Sequence, residues 1–385
     1  MNIRNTLYLD HNATTPVDPR VLEAMLPWFT ESFGNASSKT HLPGWDAAEA
    51  VEDAREAVAR LLDAEPAEII FTSGATESLN LALRGYAHAR HAHGNHLITC
   101  ATEHRAVLDT CAHLESEGFR VTYLGVNENG AIHLPDLQAA LTPETLLVCL
   151  MHANNETGVI HPLEEVAALL RPAGIPLLTD ATQSVGKIPF SVKHTGVDLA
   201  AFSAHKLYGP KGVGGLFVSK KLRSRLQPLL FGGGQERGLR AGTLNVPGIV
   251  GLGKACELAA REMAAEGQRL SRLRDEFEQQ LATLHPIRIN GHASLRLPHT
   301  TSVTLPGVQG ERLIRAMPRL AISQGAACSS VTAQPSHVLK AMGLTDEDAF
   351  STLRIGLGRF TTEADMAQAL SLFQQAIHRL QQPVS

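Results

Sequence analysis

The chain has 385 residues, 44% of them hydrophobic, enough for a large core and for two domains. A formal charge of −4 gives no basic excess that would point to direct nucleic-acid binding, and no apolar run is long enough to span a membrane. The five cysteines are odd in number, scattered and without CxxC spacing, which argues against a disulfide framework or a structural zinc site and fits a reducing cytoplasm.

The start, MNIRNTLYLDHNATTP, reaches Asp10 before an apolar stretch develops, so it does not read as a signal peptide. From about residue 45 to about residue 260, strand-like runs alternate with helix-periodic stretches. The first helical stretch is WDAAEAVEDAREAVARLL, where Val51, Ala54, Val58, Leu61 and Leu62 share a face. The strands are EIIFTSG, NHLITCATEH, RVTYLGV, TLLVCLMHANN, IPLLTDA, DLAAFSA and VGGLFVSK. Such alternation predicts a mainly parallel α/β sheet covered on both faces. Ligands in open α/β sheets bind outside the carboxyl ends of strands. Glu103-His104, Asn154-Asn155, Asp180 and Ser203-Ala204-His205-Lys206 occupy such ends.

The pattern changes after about residue 260. The charged stretch LAAREMAAEGQRLSRLRDEFEQQLATL reads as an exposed helical connector into a smaller α+β domain. That domain holds HTTSVTLPG, a cysteine loop, and a final helix ending near Gln381. The run HARHAHGNH gathers His88, His91, His93 and His96, but no Asp, Glu or Cys completes a clear ligand set. It reads as a solvated helix end and a polar loop.

Several residues carry chemistry. Thr72-Ser73-Gly74-Ala75-Thr76-Glu77-Ser78 follows a strand and opens a helix, where small residues and N–H groups suit an anion. An ordinary cap by Ser73 or Thr76 is the competing reading. Ser203, His205 and Lys206 end another strand just before the glycine break in LYGPKGVGG, so an amine stands beside two candidate phosphate ligands. Asp180 ends the strand 26 residues upstream (206 − 180). A lysine for a Schiff base and an aspartate for a pyridinium nitrogen are what pyridoxal phosphate (PLP) needs from a protein. Without that role, Asp180 caps the next turn. His104 suits a ring-stacking and proton-moving role, with a structural histidine as the competing reading, and Asn155 and Gln183 suit the cofactor's phenolic oxygen, although neither points there alone. Arg354, in FSTLRIGLGRFTTEAD, offers a two-pronged grip on a carboxylate, or else is a surface arginine on an edge strand. Cys100 and Cys149 read as strand core residues, and Cys111 and Cys256 lie in helical stretches. Cys328 sits among small and polar residues in SQGAACSS, a sequence that reads as an exposed loop carrying either a functional thiol or a bystander surface thiol.

Taken in order, these segments resemble the cysteine desulfurases, fold type I PLP enzymes of the class V aminotransferase group. The likeness runs along nearly the whole chain: YLDHNATTPVDPRV, FGNASS, FTSGATES, TEHRAV, HANNETG, TDATQS, SAHKLYGPKG, GGGQERGLRAGT, GAACSSVTAQPSHVLKAMG and LRIGLGRFTTEAD. The long cysteine loop resembles the group that serves iron–sulfur assembly and tRNA thiolation. Small departures are GAACSS for GSACTS, TESLN for TESNN, and His11 for Tyr or Asn.

The resemblance implies a large PLP domain over residues 16–259 with a mainly parallel seven-stranded sheet. Residues 1–15 and 260–385 would form the smaller domain, with the cysteine loop at about 323–336. Lys206 would be the Schiff-base lysine, Asp180 the pyridinium partner, His104 the stacking residue, and Asn155 and Gln183 the neighbours of the ring oxygen. Ala75, Thr76, Ser203 and His205 would bind phosphate, joined by Thr243 across a homodimer. Asn155 and Arg354 would hold the substrate, and Cys328 would take its sulfur as a persulfide while L-cysteine becomes L-alanine. No metal is expected in the PLP site, with Cys328 itself implied as a contact for a nascent iron–sulfur cluster. The acceptor stays open between an iron–sulfur scaffold, a thiolation relay protein and DNA phosphorothioation. An aminotransferase of the same fold, a selenocysteine lyase and a non-catalytic scaffold for sulfur-transfer partners are the alternatives.

Overall fold

A computed structural model describes the chain from Asn2 to Gln381, apart from Arg4 and residues 325–333. Cys328 therefore lies outside the described residues. The first strands, β1 (Asn2–Ile3) and β2 (Thr6–Tyr8), lead into a polar segment from Asp10 to Thr15.

Seven strands then build the main sheet: β3 (Ile69–Thr72), β4 (His96–Cys100), β5 (Arg120–Leu124), β6 (Thr145–Cys149), β7 (Leu177–Asp180), β8 (Leu199–Ser203) and β9 (Gly214–Val218). Their order is β3-β9-β8-β7-β6-β4-β5. Only β9 runs against its neighbours, so the sheet is mainly parallel. All seven expected runs became strands of one sheet. Side chains alternate between two cores, as the strand period of two requires. Ile69, Phe71, Ala200 and Phe202 enter one hydrophobic cluster, and Ile70, Leu199 and Ala201 the other. Helices on both faces bury every strand except β5 at the edge, where Arg120 and Tyr123 are exposed and only Leu124 is buried.

The parallel arrangement gathers the carboxyl ends of β3, β4, β6, β7 and β8 at one rim. Helix Ala75–Arg90 leaves β3 there, and helix Arg105–Ser116 leaves β4. Gly74 permits the first turn, with a φ of +154° that L side chains rarely adopt. Gly214 on β9 lets that turn approach closely, since a Cβ there would stand 2.6 Å from the Gly74 Cα.

A 39-residue helix, Val246–Leu284, links the large sheet to the remaining elements. The expectation of an exposed connector needs correction. The helix starts earlier than LAAREM and is amphipathic along its whole length. Val246, Ile249, Leu252 and Cys256 enter the core of the large sheet. Leu270, Leu273, Phe277 and Leu281 enter a separate cluster with Leu7, Leu9, Val303, Leu353 and Phe373. Apolar residues at helical spacing outweigh the charges between them, which occupy the outer face.

The second sheet holds β10 (Arg288–Ile289), β11 (Thr300–Thr304), β13 (Ser323–Gln324) and β14 (Thr352–Gly356), in the order β10-β11-β14-β13. A short strand, β12 (Leu320–Ala321), pairs with β2 and ties the start of the chain to this half. Helix Glu363–Gln381 closes the fold.

Candidate active site

The rim of the large sheet opens into a cavity of about 660 Å³. Its lining includes Asn12, Thr14, Ala75, Thr76, His104, Asn155, Asp180, Gln183, Ser203, His205, Lys206 and Arg354. Eleven expected site residues lie among the described ones, and ten of them line this one space. Thr243 does not; it is exposed in the loop before the long helix.

Lys206 follows β8 in a single helical turn, Ala204–Lys206. Its Nζ donates to the carbonyl oxygens of Asn12 and of Ala13, the latter at 2.7 Å. Burial pushes the amine down to about 8, Arg354 adds to that, and Asp180 and Asp10 oppose it. A cationic neighbour and poor solvation both favour the neutral amine, the nucleophilic form. Lys211 lines the same cavity and is exposed.

Asp180 ends β7, buried, with Oδ1 accepting from the Thr182 N–H at 2.9 Å. The turn cap and a carboxylate facing the cavity thus coexist, because a carboxylate has two oxygens. Gln183, one turn later, donates from Nε2 to the Asn12 carbonyl at 3.0 Å. His104 caps helix Arg105–Ser116, its Nδ1 accepting from the Ala106 N–H at 3.1 Å, and its ring stays exposed at the cavity.

The anion cradle has two sides. On one, helix Ala75–Arg90 starts at Gly74 with no side-chain cap, so neither Ser73 nor Thr76 plays the ordinary capping role. Its first-turn N–H groups have no intrahelical acceptor, and a 16-residue helix dipole favours negative charge there. On the other, Ser203 is buried and His205 Nδ1 stands 3.1 Å from Thr14 Oγ1. Burial pushes the His205 ring down to about 4, with Lys206 and Lys211 acting in the same direction. The ring is therefore neutral at pH 7 and offers one N–H. Arg240, from the loop that carries Thr243, pairs with Glu77 at 2.9 Å beside this cradle.

Arg354 sits in the middle of the small sheet, not on its edge. Nη2 donates to Asp10 Oδ1 at 2.9 Å and Nη1 to the Asn155 carbonyl at 3.2 Å. Nε is buried with no partner among the described residues. Inspection of the sequence did not single out Asp10, Asn12 or Thr14. The signal was present as a polar run, DHNATT, directly after a strand. Its partners lie some 190 to 340 positions away, which no local pattern encodes.

Glu103 is a further buried acid, one residue before His104. Oε1 accepts from the Met151 N–H at 2.5 Å, and Oε2 has no partner among the described residues. Burial pushes its pKa well above the usual carboxylate range, against the Met151 N–H and with Asp180 adding to the rise, so it is a weaker acid than an ordinary carboxyl.

Cys100, Cys111, Cys149 and Cys256 are all buried. Burial pushes Cys100 to about 11 and Cys111 to about 12, with Glu103 contributing to both. The histidines of HARHAHGNH part company. His88 contacts Glu117 at 2.8 Å, and His96 is buried between Thr122 and Thr145. Among the described residues no helix is long and apolar enough to cross a membrane.

The family model for class-V aminotransferases matches residues 7–369. A protein named cysteine desulfurase IscS, from Anaeromyxobacter dehalogenans, is 52% identical over 377 residues, covering 98% of this chain and 93% of that one. A solved structure of a NifS-like protein superposes with a TM-score of 0.91 at 38% identity, covering 97% of this chain and 100% of that one. A structure described as SspA in complex with cysteine superposes with a TM-score of 0.82 at 40% identity, covering 93% of this chain and 100% of that one.

Proposed function

We infer the function from one premise: the chain belongs to the class-V aminotransferase family and, within it, to the cysteine desulfurases. It is a PLP-dependent enzyme that takes the sulfur of L-cysteine and leaves L-alanine. The assignment of roles to residues is our proposal. What supports it is that Lys206, Asp180 and Arg354 line one cavity.

The donor set fits PLP. An amine with lowered basicity, a buried carboxylate, and an uncapped helix N-terminus facing Ser203 and His205 match its aldehyde, ring nitrogen and phosphate. Bound there, PLP supplies an electron sink for charge developing at the α-carbon of the amino acid. Lys206 would hold the cofactor through its amine and, as a free amine, would take and return the α-proton. The Asn12 and Ala13 carbonyls give the resulting ammonium a resting place. Asp180 keeps the ring nitrogen protonated by opposite charge. His104 covers the ring face, while Asn155 and Gln183 flank its oxygen. Ala75, Thr76, Ser203 and His205 hold the phosphate. Arg354, with Asn155, orients the substrate carboxylate.

Cys328 completes the reaction. Its thiolate attacks the substrate sulfur, an S–S bond forms, and the Cβ–S bond breaks with its electron pair left on carbon. The persulfide then passes to an acceptor protein, an iron–sulfur scaffold or a thiolation relay, and Cys328 meets the nascent cluster. We place the reaction in the reducing cytoplasm, in a homodimer whose Thr243 reaches the phosphate of the second subunit. We divide the chain into a PLP domain over 16–259 and a smaller domain from 1–15 and 260–385.

The test is a visible spectrum before and after adding L-cysteine, with alanine measured in the same tube. Alanine formed without any keto acid supports the reading. No alanine without a keto acid, and L-cysteine converted to its 2-oxo acid only when a keto-acid amino acceptor is added, points to an aminotransferase.

A further inference from the structure

Cys328 follows Gln324 by four positions and precedes Ser336 by eight. What holds those two flanks bears on any step Cys328 performs. On the near side, Ser323 Oγ donates to Asp10 Oδ2 at 2.8 Å, and Gln324 Nε2 donates to the Phe350 carbonyl at 2.6 Å. On the far side, Ser336 Oγ contacts Glu156 Oε2 at 2.5 Å. The same hydroxyl accepts from the N–H groups of Val338 and Leu339 at 3.1 and 3.3 Å, capping helix His337–Ala341. His337 Nε2 lies 3.0 Å from the Glu103 carbonyl, next to His104.

Glu156 is not among the residues lining the cavity, and no step above uses it. Yet it is buried, and its backbone N–H is fixed by Asn154 Oδ1 at 2.8 Å. It directly follows Asn155, whose carbonyl holds Arg354. Burial pushes its acid form up to about 7, with the Ser336 hydroxyl and Arg354 opposing. A buried carboxylate is costly without a donor, so the Ser336 contact is strongly held.

We propose that Glu156 is a positioning residue for sulfur transfer: through Ser336 it fixes the end of the segment that carries Cys328 against the substrate side of the cavity. The proposal rests on the desulfurase reading. Displacement of an attacking group by an ångström is enough to slow a reaction greatly. Glu156 thus serves the attack by Cys328, while cofactor binding and α-proton chemistry do not depend on it.

The experiment separates those steps in the PLP-loaded enzyme. The early step is read by exchange of the L-alanine α-proton in deuterated water and by the absorbance change with L-cysteine. The late step is read by the rate of persulfide formation on Cys328, by mass, in a single turnover. Glu156→Ala and Ser336→Ala are expected to slow persulfide formation by about tenfold or more while early-step rates stay within about twofold. Glu156→Gln and Ser336→Thr, which keep the hydrogen bond, are expected to restore most of the loss. If Glu156→Ala does not fold, the two Ser336 variants decide. Persulfide formation at the parent rate in Ser336→Ala overturns the proposal, as does a fall of both steps together. If the parent enzyme itself neither exchanges the α-proton nor forms a persulfide, the desulfurase reading fails instead.

Discussion

Ser323 and Arg354 are register partners across β13 and β14, and one carboxylate, Asp10, accepts a hydrogen bond from each. The residue that enters the cysteine segment and the residue proposed to hold the substrate carboxylate therefore share an anchor. Asp10 lies more than 300 positions from both.

Arg354→Lys should raise the KM for L-cysteine by about tenfold, equivalent to about 1.4 kcal/mol. A lysine ammonium cannot reach Asp10, the Asn155 carbonyl and a substrate carboxylate together, because it lacks the planar fork. Steady-state kinetics with cofactor fully loaded checks this. An unchanged KM would remove Arg354 from substrate binding.

Lys206→Ala should abolish turnover and the visible absorbance of bound cofactor, whereas Lys211→Ala should keep both. The two amines line one cavity, but only Lys206 is held at its base by Asn12 and Ala13. Borohydride reduction and peptide mapping should label Lys206. Label on Lys211 would reverse the assignment.

The rate at which apoenzyme takes up PLP should rise with pH and level off above about 8. Lys206 has its amine lowered to about 8, so it is mainly protonated at pH 7 and mainly neutral at pH 9. Only the neutral amine is a nucleophile. Stopped-flow absorbance from pH 6 to 9.5 measures the profile. A rate still climbing past pH 9.5 would show an unshifted amine.

Cys328→Ser should lower sulfide and persulfide production by about a hundredfold or more, leaving PLP binding and the absorbance response to L-cysteine intact. Alkylation of the native enzyme should reach Cys328 before the other four thiols. Those four are buried, and burial raises Cys100 to about 11 and Cys111 to about 12, so little thiolate is available at pH 7. Sulfur release at the parent rate from Cys328→Ser would favour a PLP enzyme acting without a thiol nucleophile.

The protein should run as a two-chain species by light scattering, and Phe231→Asp should weaken it. Leu230 and Phe231 are 47% and 86% exposed in the loop that also carries Thr243. Closed two-fold dimers are the commonest soluble oligomer. Thr243→Ala should lower PLP affinity without changing the mass. Full activity from a single-chain species would refute the shared site.

The sequence alone was sufficient for the seven strands of the large sheet, since each is a short apolar run bounded by polar residues. It also pointed to the common rim where Lys206, Asp180 and His104 line one cavity, because polar residues closing apolar strands are conspicuous and a parallel sheet gathers them at one end. The course of the long helix was misjudged because its charges are dense. Its apolar stripe has meaning only when the two cores it joins are known. Asp10, Asn12, Glu156 and Ser336 were not singled out, since each acts through a partner remote in the chain: Asp10 on Arg354, Asn12 on Lys206, Glu156 on Ser336. Local periodicity fixes which face of an element is apolar. It carries no information about which buried carboxylate meets which distant donor, and that was decided by tertiary packing, where an unpaired polar group is too costly to leave unmatched.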